Sequence, residues 1–301
     1  GAILPSAFTT EVLTKMLTFT GGDSSDSSTG ADSNVTWTFN PNVTGLIASQ
    51  KAFDFLGVGD TIKLTYYVKT TDSAGVTTAT TSDEVSASNL VPITITITGT
   101  NDAILAGADD KTTVFEKSDD TSATVGVAVN AMSKAYDVDS PKTQWLVTQV
   151  GTTNIGTENT TIVGSYGSLI IKADGTYHYE LNNSNSAVNA LYYHGSNDYG
   201  TLQDQFTVTI SDGDGSTSSK KIIVDIDGAN DKPVISLVTT DSDSKSFNEV
   251  NAALTASGTL TVMDVDIKDT VTSFMIDSVA HAVKTSGGTD ITSTVFPSTY
   301  T

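Results

Sequence analysis

Residues 93–104 read ITITITGTNDAI, and residues 222–235 read IIVDIDGANDKPVI. In the first stretch Ile93, Ile95 and Ile97 alternate strictly with Thr94, Thr96 and Thr98. Successive side chains of a β-strand point to opposite faces, so this is a strand with an apolar face inward and a Thr face in water. Both stretches close on Gly-x-Asn-Asp, through Gly99, Asn101 and Asp102 and through Gly228, Asn230 and Asp231. The two Asn lie 129 positions apart.

Working outward, each stretch has the same neighbours. Upstream comes a strand leading into an acidic turn, YVKTTDSAG at 67–75 and VTISDGDG at 208–215. Downstream comes a Glu behind an aromatic residue, Phe115-Glu116 and Phe247-Asn248-Glu249. Then comes Asp-Val-Asp, at 137–139 and at 264–266, 127 positions apart. Four features recurring in one order at nearly one spacing are the signature of tandem homologous domains.

The rest of the chain agrees with a β architecture. TIKLTYYVKT at 61–70, QFTVTIS at 205–211 and KKIIVDID at 220–227 read as strands, with Phe206, Val208 and Ile210 inward. Clusters of Gly, Asn, Asp and Ser separate them, as turn chemistry requires. Thr-rich strands about ten residues apart point to a β-sandwich. Two short helices are expected, one over 9–16 with Thr10 as its cap and one over 186–193. GGDSSDSSTGADSN at 21–34 reads as a long exposed loop.

Composition narrows the function. The chain has 301 residues, 38% of them apolar, with 34 Ser and 50 Thr. Thirty-five acidic residues stand against 15 Lys and no Arg, for a net charge of −20. That balance opposes nucleic acid or an anionic membrane as partner. No apolar run is long enough to span a bilayer. Gly1-Ala2 reads as an excised or mature start, without a signal peptide. Cys is absent, so disulfides cannot brace the chain, and an oxygen-ligated metal is the available alternative. No Cys nucleophile, His-Glu-x-x-His, Gly-x-Ser-x-Gly or phosphate loop is present, so no enzyme is expected. His178, His194 and His281 are isolated.

The repeated features resemble VCBS repeats, the cadherin-like modules of giant bacterial RTX-type surface adhesins. The middle repeat resembles a complete example: Asp-Val-Asp at 137–139, the hairpin YGSLIIKADGTYHYEL at 166–181 turning at Ala173-Asp174-Gly175, FTVTISDGDGS at 206–216 and DIDGANDKPVI at 225–235. LGVGDTIKLTYYVKTTDSAG at 56–75 with its Gly-Thr-Asn-Asp resembles the back part of a repeat. NEVNAALTASGTLTVMDVDIKDTV at 248–271 resembles a front part. Ile104 stands where the family usually has Pro, which implies a less rigid first linker. The expected fold is therefore all-β: tandem Ig-like or cadherin-like β-sandwich domains, one complete and two partial. Residues 1–102 form a back part, 103–231 a complete repeat and 232–301 a front part.

The resemblance implies an extracellular location on the bacterial cell surface and Ca²⁺ at the junctions between repeats. Ca²⁺ takes six to eight oxygen ligands, which one loop rarely supplies. Junction one would draw on Asn101, Asp102, Glu116, Asp137 and Asp139. Junction two would draw on Asp227, Asn230, Asp231, Glu249, Asp264 and Asp266. Each motif also has a plainer reading, since Asn-Asp after a strand forms turns and Asp-x-Asp occurs in solvated loops. Asp212 and Asp214 suit a turn as well as a ligand, Asp72 less well, and Asp174-Gly175 suits a hairpin turn.

Two functions follow. One is a calcium-stiffened structural or adhesive repeat that extends a large surface adhesin or filament. The other is an adhesion module that binds carbohydrate or a cell-surface ligand, with Trp145, Tyr166, Tyr192, Tyr193 and Tyr199 as an aromatic platform; the same residues also suit sandwich core and loop anchors. The expected partners are neighbouring repeats, with residues 232–301 of one copy completing residues 1–102 of the next, head to tail.

Overall fold

The computed structural model describes residues 4–21, 35–69, 91–118, 122–193, 200–249 and 251–277, with 279, 284, 287 and 288. Most of the polar stretch at 21–34, the turn around Asp72, and His194, Tyr199, His281 and the last residues lie outside them. The chain divides into two compact units, Gly1–Ala229 and Asn230–Thr301.

The first unit opens with helix α1 (Thr10–Lys15). Its cap is Thr9, not Thr10: Thr9 is extended and its Oγ1 accepts the N–H of Val12 at 3.3 Å. Strands β1 (Leu17–Gly21) and β2 (Val35–Phe39) pair antiparallel. A five-residue helix α2 (Ala48–Ala52) follows, where Gln50 Oε1 accepts the N–H of Ile47 and Phe53 ends the helix at φ +63°. Strands β3 (Thr61–Val68) and β4 (Val91–Thr98) form a second antiparallel pair. Phe8, Met16, Leu46, Phe53 and Leu56 make a small core here. The alternation of β4 is as read: the Thr are exposed, and the Ile face inward but stay only partly buried.

The larger part of the unit is a two-sheet sandwich. In chain order its strands are β5 (Asp110–Phe115), β6 (Thr124–Val125), β7 (Val129–Asn130), β8 (Leu146–Val150), β9 (Thr153–Asn154), β10 (Thr160–Val163), β11 (Gly167–Ile171), β12 (Thr176–Leu181), β13 (Thr201–Ser211) and β14 (Thr217–Asp227). One sheet runs β10-β11-β12-β6, with β7 also on β12; the other runs β5-β14-β13-β8-β9. β5 lies parallel to β14, and the remaining pairs are antiparallel. Period-two burial supplies the core: Leu169, Ile171, Tyr177, Tyr179 and Leu181 from one sheet meet Val147, Phe206, Val208, Ile210, Ile222, Val224 and Ile226 from the other. The β11–β12 hairpin turns at Asp174-Gly175, with Gly175 at φ +81° and Asp174 Oδ1 accepting the N–H of Thr176.

The expected helix over 186–193 does not form. Asn182 and Asn185 accept the N–H groups of Ser184 and Ala187, which diverts the backbone into consecutive turns. Val188 and Leu191 are buried from those turns.

In the second unit β15 (Val234–Ser236) pairs antiparallel with β16 (Thr261–Met263). Val234 pairs with Met263, as Leu105 bridges Tyr136 at the start of the sandwich in the first unit. Two sequence motifs at a near-constant spacing thus build the same backbone contact twice.

Candidate metal centres

The first cluster sits where the loop before β3, the Asn-Asp after β4 and two turns of the sandwich come together. Gly99 is what lets them approach: a Cβ there would lie 2.3 Å from the carbonyl oxygen of Leu56. Its N–H donates to Asp60 O at 2.8 Å, fixing the 56–60 loop against the end of β4. Gly228 behaves alike, donating to Gly200 O before β13, with no room for a Cβ against Leu191 and Tyr192.

Asp137 and Asp139 organise the next turn. Asp137 Oδ1 accepts the N–H groups of Asp139 and Ser140, and Asp139 Oδ2 accepts the N–H of Asp102 at 3.1 Å. Asn101 Nδ2 donates to Asp212 Oδ2 at 2.9 Å. A cleft of about 530 Å³ opens beside them, lined by Phe55, Asp60, Asp139, Ser140, Gln144 and Asp214 among others. A smaller cavity of about 80 Å³ has Asp54 and Asp102 in its wall.

These acids crowd one another. Burial, contact with Asp137, and the charges of Asp137 and Asp102 push the Asp139 carboxyl up to about 6, although the Asp102 N–H opposes this. Asp102 is raised too, by burial and by Asp54 and Asp137. Asp212 goes the other way. Burial would raise it, but Asn101 and the N–H groups of Asp214, Ser216 and Gly215 outweigh burial and hold it low. Fully buried and surrounded by donors, Asp212 pins the turn and the junction rather than offering an open ligand.

The second unit repeats the arrangement. Asp264 Oδ1 accepts the N–H of Asp266, and Asp266 Oδ2 accepts the N–H of Asp231 at 2.9 Å. Carboxylate oxygens of Asp264, Asp266 and Asp269 all lie within 4.8 Å of one another. Burial and the charges of Asp231, Asp264 and Asp269 push Asp266 up to about 6, against the Asp231 N–H. Asn230, Asp231, Asp264 and Asp269 line a cavity of about 220 Å³.

The residues fit an oxygen-liganded cation. Asn101 Oδ1, Asp137 Oδ2 and Asp266 Oδ1 are buried acceptors that receive no hydrogen bond. A hard divalent cation satisfies such oxygens, and the clusters offer no nitrogen or sulfur that would favour zinc.

Two expected ligands lie elsewhere. Glu116 is not in the first cluster: it follows β5, whose parallel pairing with β14 carries it to the opposite end of the sandwich. There its N–H donates to Asp227 O and its Oε2 accepts the N–H of Ala229. Glu249 is exposed and outside the 264–269 cluster. Asp54, Asp60 and Asp269 join these clusters from outside the motifs expected to supply ligands, and Asp214, which suits a turn as well as a ligand, lines the first cleft. Gly57-Val58-Gly59-Asp60 just before β3 is a turn signal that marks Asp60; Asp54 carries no such signal. Of the five aromatic residues of the expected platform, Trp145 is buried in the core with its Nε1 donating to Ser140 O, Tyr166 packs against that core, and Tyr199 lies outside the described residues.

Residues 101–228 match the family model described as the bacterial cadherin-like domain. The match covers the sandwich of β5 to β14 and supports a cadherin-like repeat there. No curated protein matches the chain. Among the described residues no helix is long and apolar enough to cross a membrane.

Proposed function

We propose that this chain is a calcium-stiffened, extracellular run of VCBS-type repeats that extends a bacterial surface adhesin. Its role is structural and adhesive rather than catalytic, and its first partners are neighbouring repeats. One observation carries this reading. The Asp102–Asp137–Asp139 and Asp231–Asp264–Asp266 sets have the same hydrogen-bond pattern, and each leaves a buried carboxylate oxygen without a donor. Turn formation alone explains the bonds but not the bare buried oxygens, nor carboxyls pushed up to about 6 by burial and by the charges of their neighbours.

Calcium supports the same reading energetically. It neutralises carboxylates that repel each other and ties loops of different elements together, in a chain with no disulfide to do so. The carbohydrate-binding alternative is weakened by the placement of Trp145 in the core and of Tyr166 against it.

The test is calorimetric titration of Ca²⁺ into the intact, chelator-treated chain, followed by melting with and without the ion. Saturable heat and a raised melting midpoint are expected. No heat and an unchanged midpoint would remove the proposal.

A further inference from the structure

We infer that Trp145 is a positioning residue of the first metal centre: acting through Ser140, it holds the Asp137–Asp139 turn in the shape that leaves Asp137 Oδ2 bare. The inference rests on the calcium reading and adds to it how the sandwich core sets that centre.

The path from the turn to the core is short. Asp137-Val138-Asp139 runs on through Ser140-Pro141-Lys142-Thr143-Gln144 to Trp145, which stands directly before β8. Proline fixes its own φ and biases the residue before it to an extended backbone, so the chain leaves Ser140 in a restricted direction. It then turns back. Gln144 N–H donates to Pro141 O at 2.9 Å, and Trp145 N–H to Lys142 O at 3.3 Å. That turn returns the indole to its start, where Trp145 Nε1 donates to the buried Ser140 O at 3.1 Å. Trp145 itself is 4% exposed and belongs to the core with Val147, Leu169 and Ile210.

Ser140 is held from several sides and is 6% exposed. Its N–H donates to Asp137 Oδ1 at 3.0 Å, and its carbonyl accepts the indole N–H. Its hydroxyl lies 3.4 Å from both Asp139 Oδ1 and Asp214 Oδ2. The N–H groups of Ser140 and Asp139 together occupy Asp137 Oδ1 and so orient the carboxylate, leaving Oδ2 buried and without a donor. A buried carbonyl that loses its donor is costly to keep buried. Without the indole N–H, Ser140 O is drawn toward water, Ser140 turns with it, and the Asp137 carboxylate loses its fixed aim.

The second centre shows what stands in place of this brace. Its Asp264 Oδ1 accepts the N–H of Asp266 as Asp137 Oδ1 accepts that of Asp139. Counted on by the 127 positions that separate the two Asp-Val-Asp motifs, Ser140 becomes Ile267, Lys142 becomes Asp269 and Trp145 becomes Thr272. No Trp occurs after Trp145 in the sequence. Asp269 adds a third carboxylate to the second cluster. At the same position the first centre has Lys142, whose Nζ lies 5.5 Å from the centre of the Trp145 ring, within the range of a cation–π contact. Where the second centre adds a charge, the first has Trp145: its N–H braces the turn, and its ring seats an ammonium that would otherwise oppose a bound cation.

A titration resolved by centre tests this. Ca²⁺ is added to the intact, chelator-treated chain and followed by NMR at the amide N–H groups of Asp102 and Asp231. These donate to Asp139 and Asp266, so they report the two centres separately. Trp145→Phe keeps an aromatic ring in the core and removes the indole N–H. The midpoint at Asp102 should move to about fivefold higher Ca²⁺, the scale of one hydrogen bond, and the midpoint at Asp231 should stay where it is. A second measurement leaves the core untouched. Trp37 is 46% exposed, so Trp37→Phe spares the core and makes Trp145 the only source of an indole signal. Ca²⁺ should then slow solvent exchange of that indole N–H more than it slows exchange of the Val224 amide in the same core. An N–H with a packing role alone would change only as Val224 does. This comparison decides even where the Phe variant does not fold. An Asp102 midpoint unmoved in Trp145→Phe, or an indole that follows Val224, overturns the inference and leaves the calcium reading standing. No response at either amide in the wild-type chain would remove both.

Discussion

Asp231 donates its backbone N–H to Oδ2 of Asp266 at 2.9 Å. Asp102 does the same to Asp139 at 3.1 Å. In both cases the accepting Asp is the second of an Asp-Val-Asp, and the first Asp holds the turn. The carboxylates that would ligate a cation are thus pre-placed by backbone bonds. Replacing Asp139 with Asn keeps an acceptor for Asp102 but removes one charge from the set. Calcium affinity of the intact chain should fall by at least about tenfold, or ~1.4 kcal/mol. Asp174→Asn, at the hairpin turn, should leave affinity unchanged. Equal losses for the two variants, read by calorimetry, would refute the assignment of Asp139.

The pH response of the metal-free chain follows from the burial and crowding of these carboxyls. Asp139 and Asp266 titrate near 6 when folded, above the ordinary carboxylate value of 3.8. Between those values the folded state binds more protons than the unfolded state. Their contribution to stability is therefore full below about 4 and is lost as pH rises through 6. Without calcium, the midpoint of urea unfolding should fall between pH 4 and pH 6.5. Saturating calcium holds these groups ionised, so it should flatten or reverse that slope. A metal-free midpoint that rises across this interval would contradict the raised values of both carboxyls.

Asp204 was not legible as a structural residue, although its strand was. QFTVTIS read cleanly because Phe206, Val208 and Ile210 follow period two and are buried as expected. Asp204 belongs to the same inward series, yet nothing in a linear pattern says that an inward acid will find three donors. It accepts Ser165 N–H at 2.9 Å, Tyr166 N–H at 3.1 Å and Tyr179 Oη–H at 2.6 Å, so it ties the β10–β11 turn to the opposite sheet. Asp204→Ala leaves the buried Tyr179 hydroxyl and two partly buried N–H groups without their acceptor, at about 1–3 kcal/mol apiece before relaxation. A total loss of about 3 kcal/mol or more is expected in urea unfolding, and a smaller one for Asp204→Asn. A loss under about 1 kcal/mol for the Ala variant would show that water replaces the carboxylate.

The same limit explains the metal clusters. Repeat spacing revealed which Asp and Asn recur, and the paired Asp-Val-Asp turns follow from it directly. It could not reveal which end of the sandwich each reaches. Glu116 lies 15 positions after Asn101 but at the far end, because β5 runs the length of the sheet between them. Asp54 and Asp60 come from a loop whose approach to Asp102 and Asp139 depends on the tertiary contact at Gly99.

Lys220 gives the last prediction. It shares a face of β14 with Ile222, Val224 and Ile226 and is buried there, with its side chain 1% exposed. Its Nζ lies 2.8 Å from Asp110 Oδ2, an ionic contact without hydrogen-bond geometry. Lys134, half exposed, reaches the other Asp110 oxygen at 3.1 Å. The three residues link β14, the start of β5 and the turn near Ala135, but not equally. Removing the Lys220 charge with Lys220→Met leaves Asp110 paired with Lys134. Removing the Asp110 charge with Asp110→Asn leaves Lys220 buried beside a neutral amide. An uncompensated buried charge typically costs about 3–5 kcal/mol. Asp110→Asn should therefore destabilise by about that much, and Lys220→Met by clearly less, because its methylene stem keeps its packing. Joining Lys220→Met with Asp110→Asn should recover most of the loss, since no buried charge is then left alone. Urea unfolding of the three variants decides it: a double variant no more stable than Asp110→Asn would mean that Lys220 carries no stranded charge.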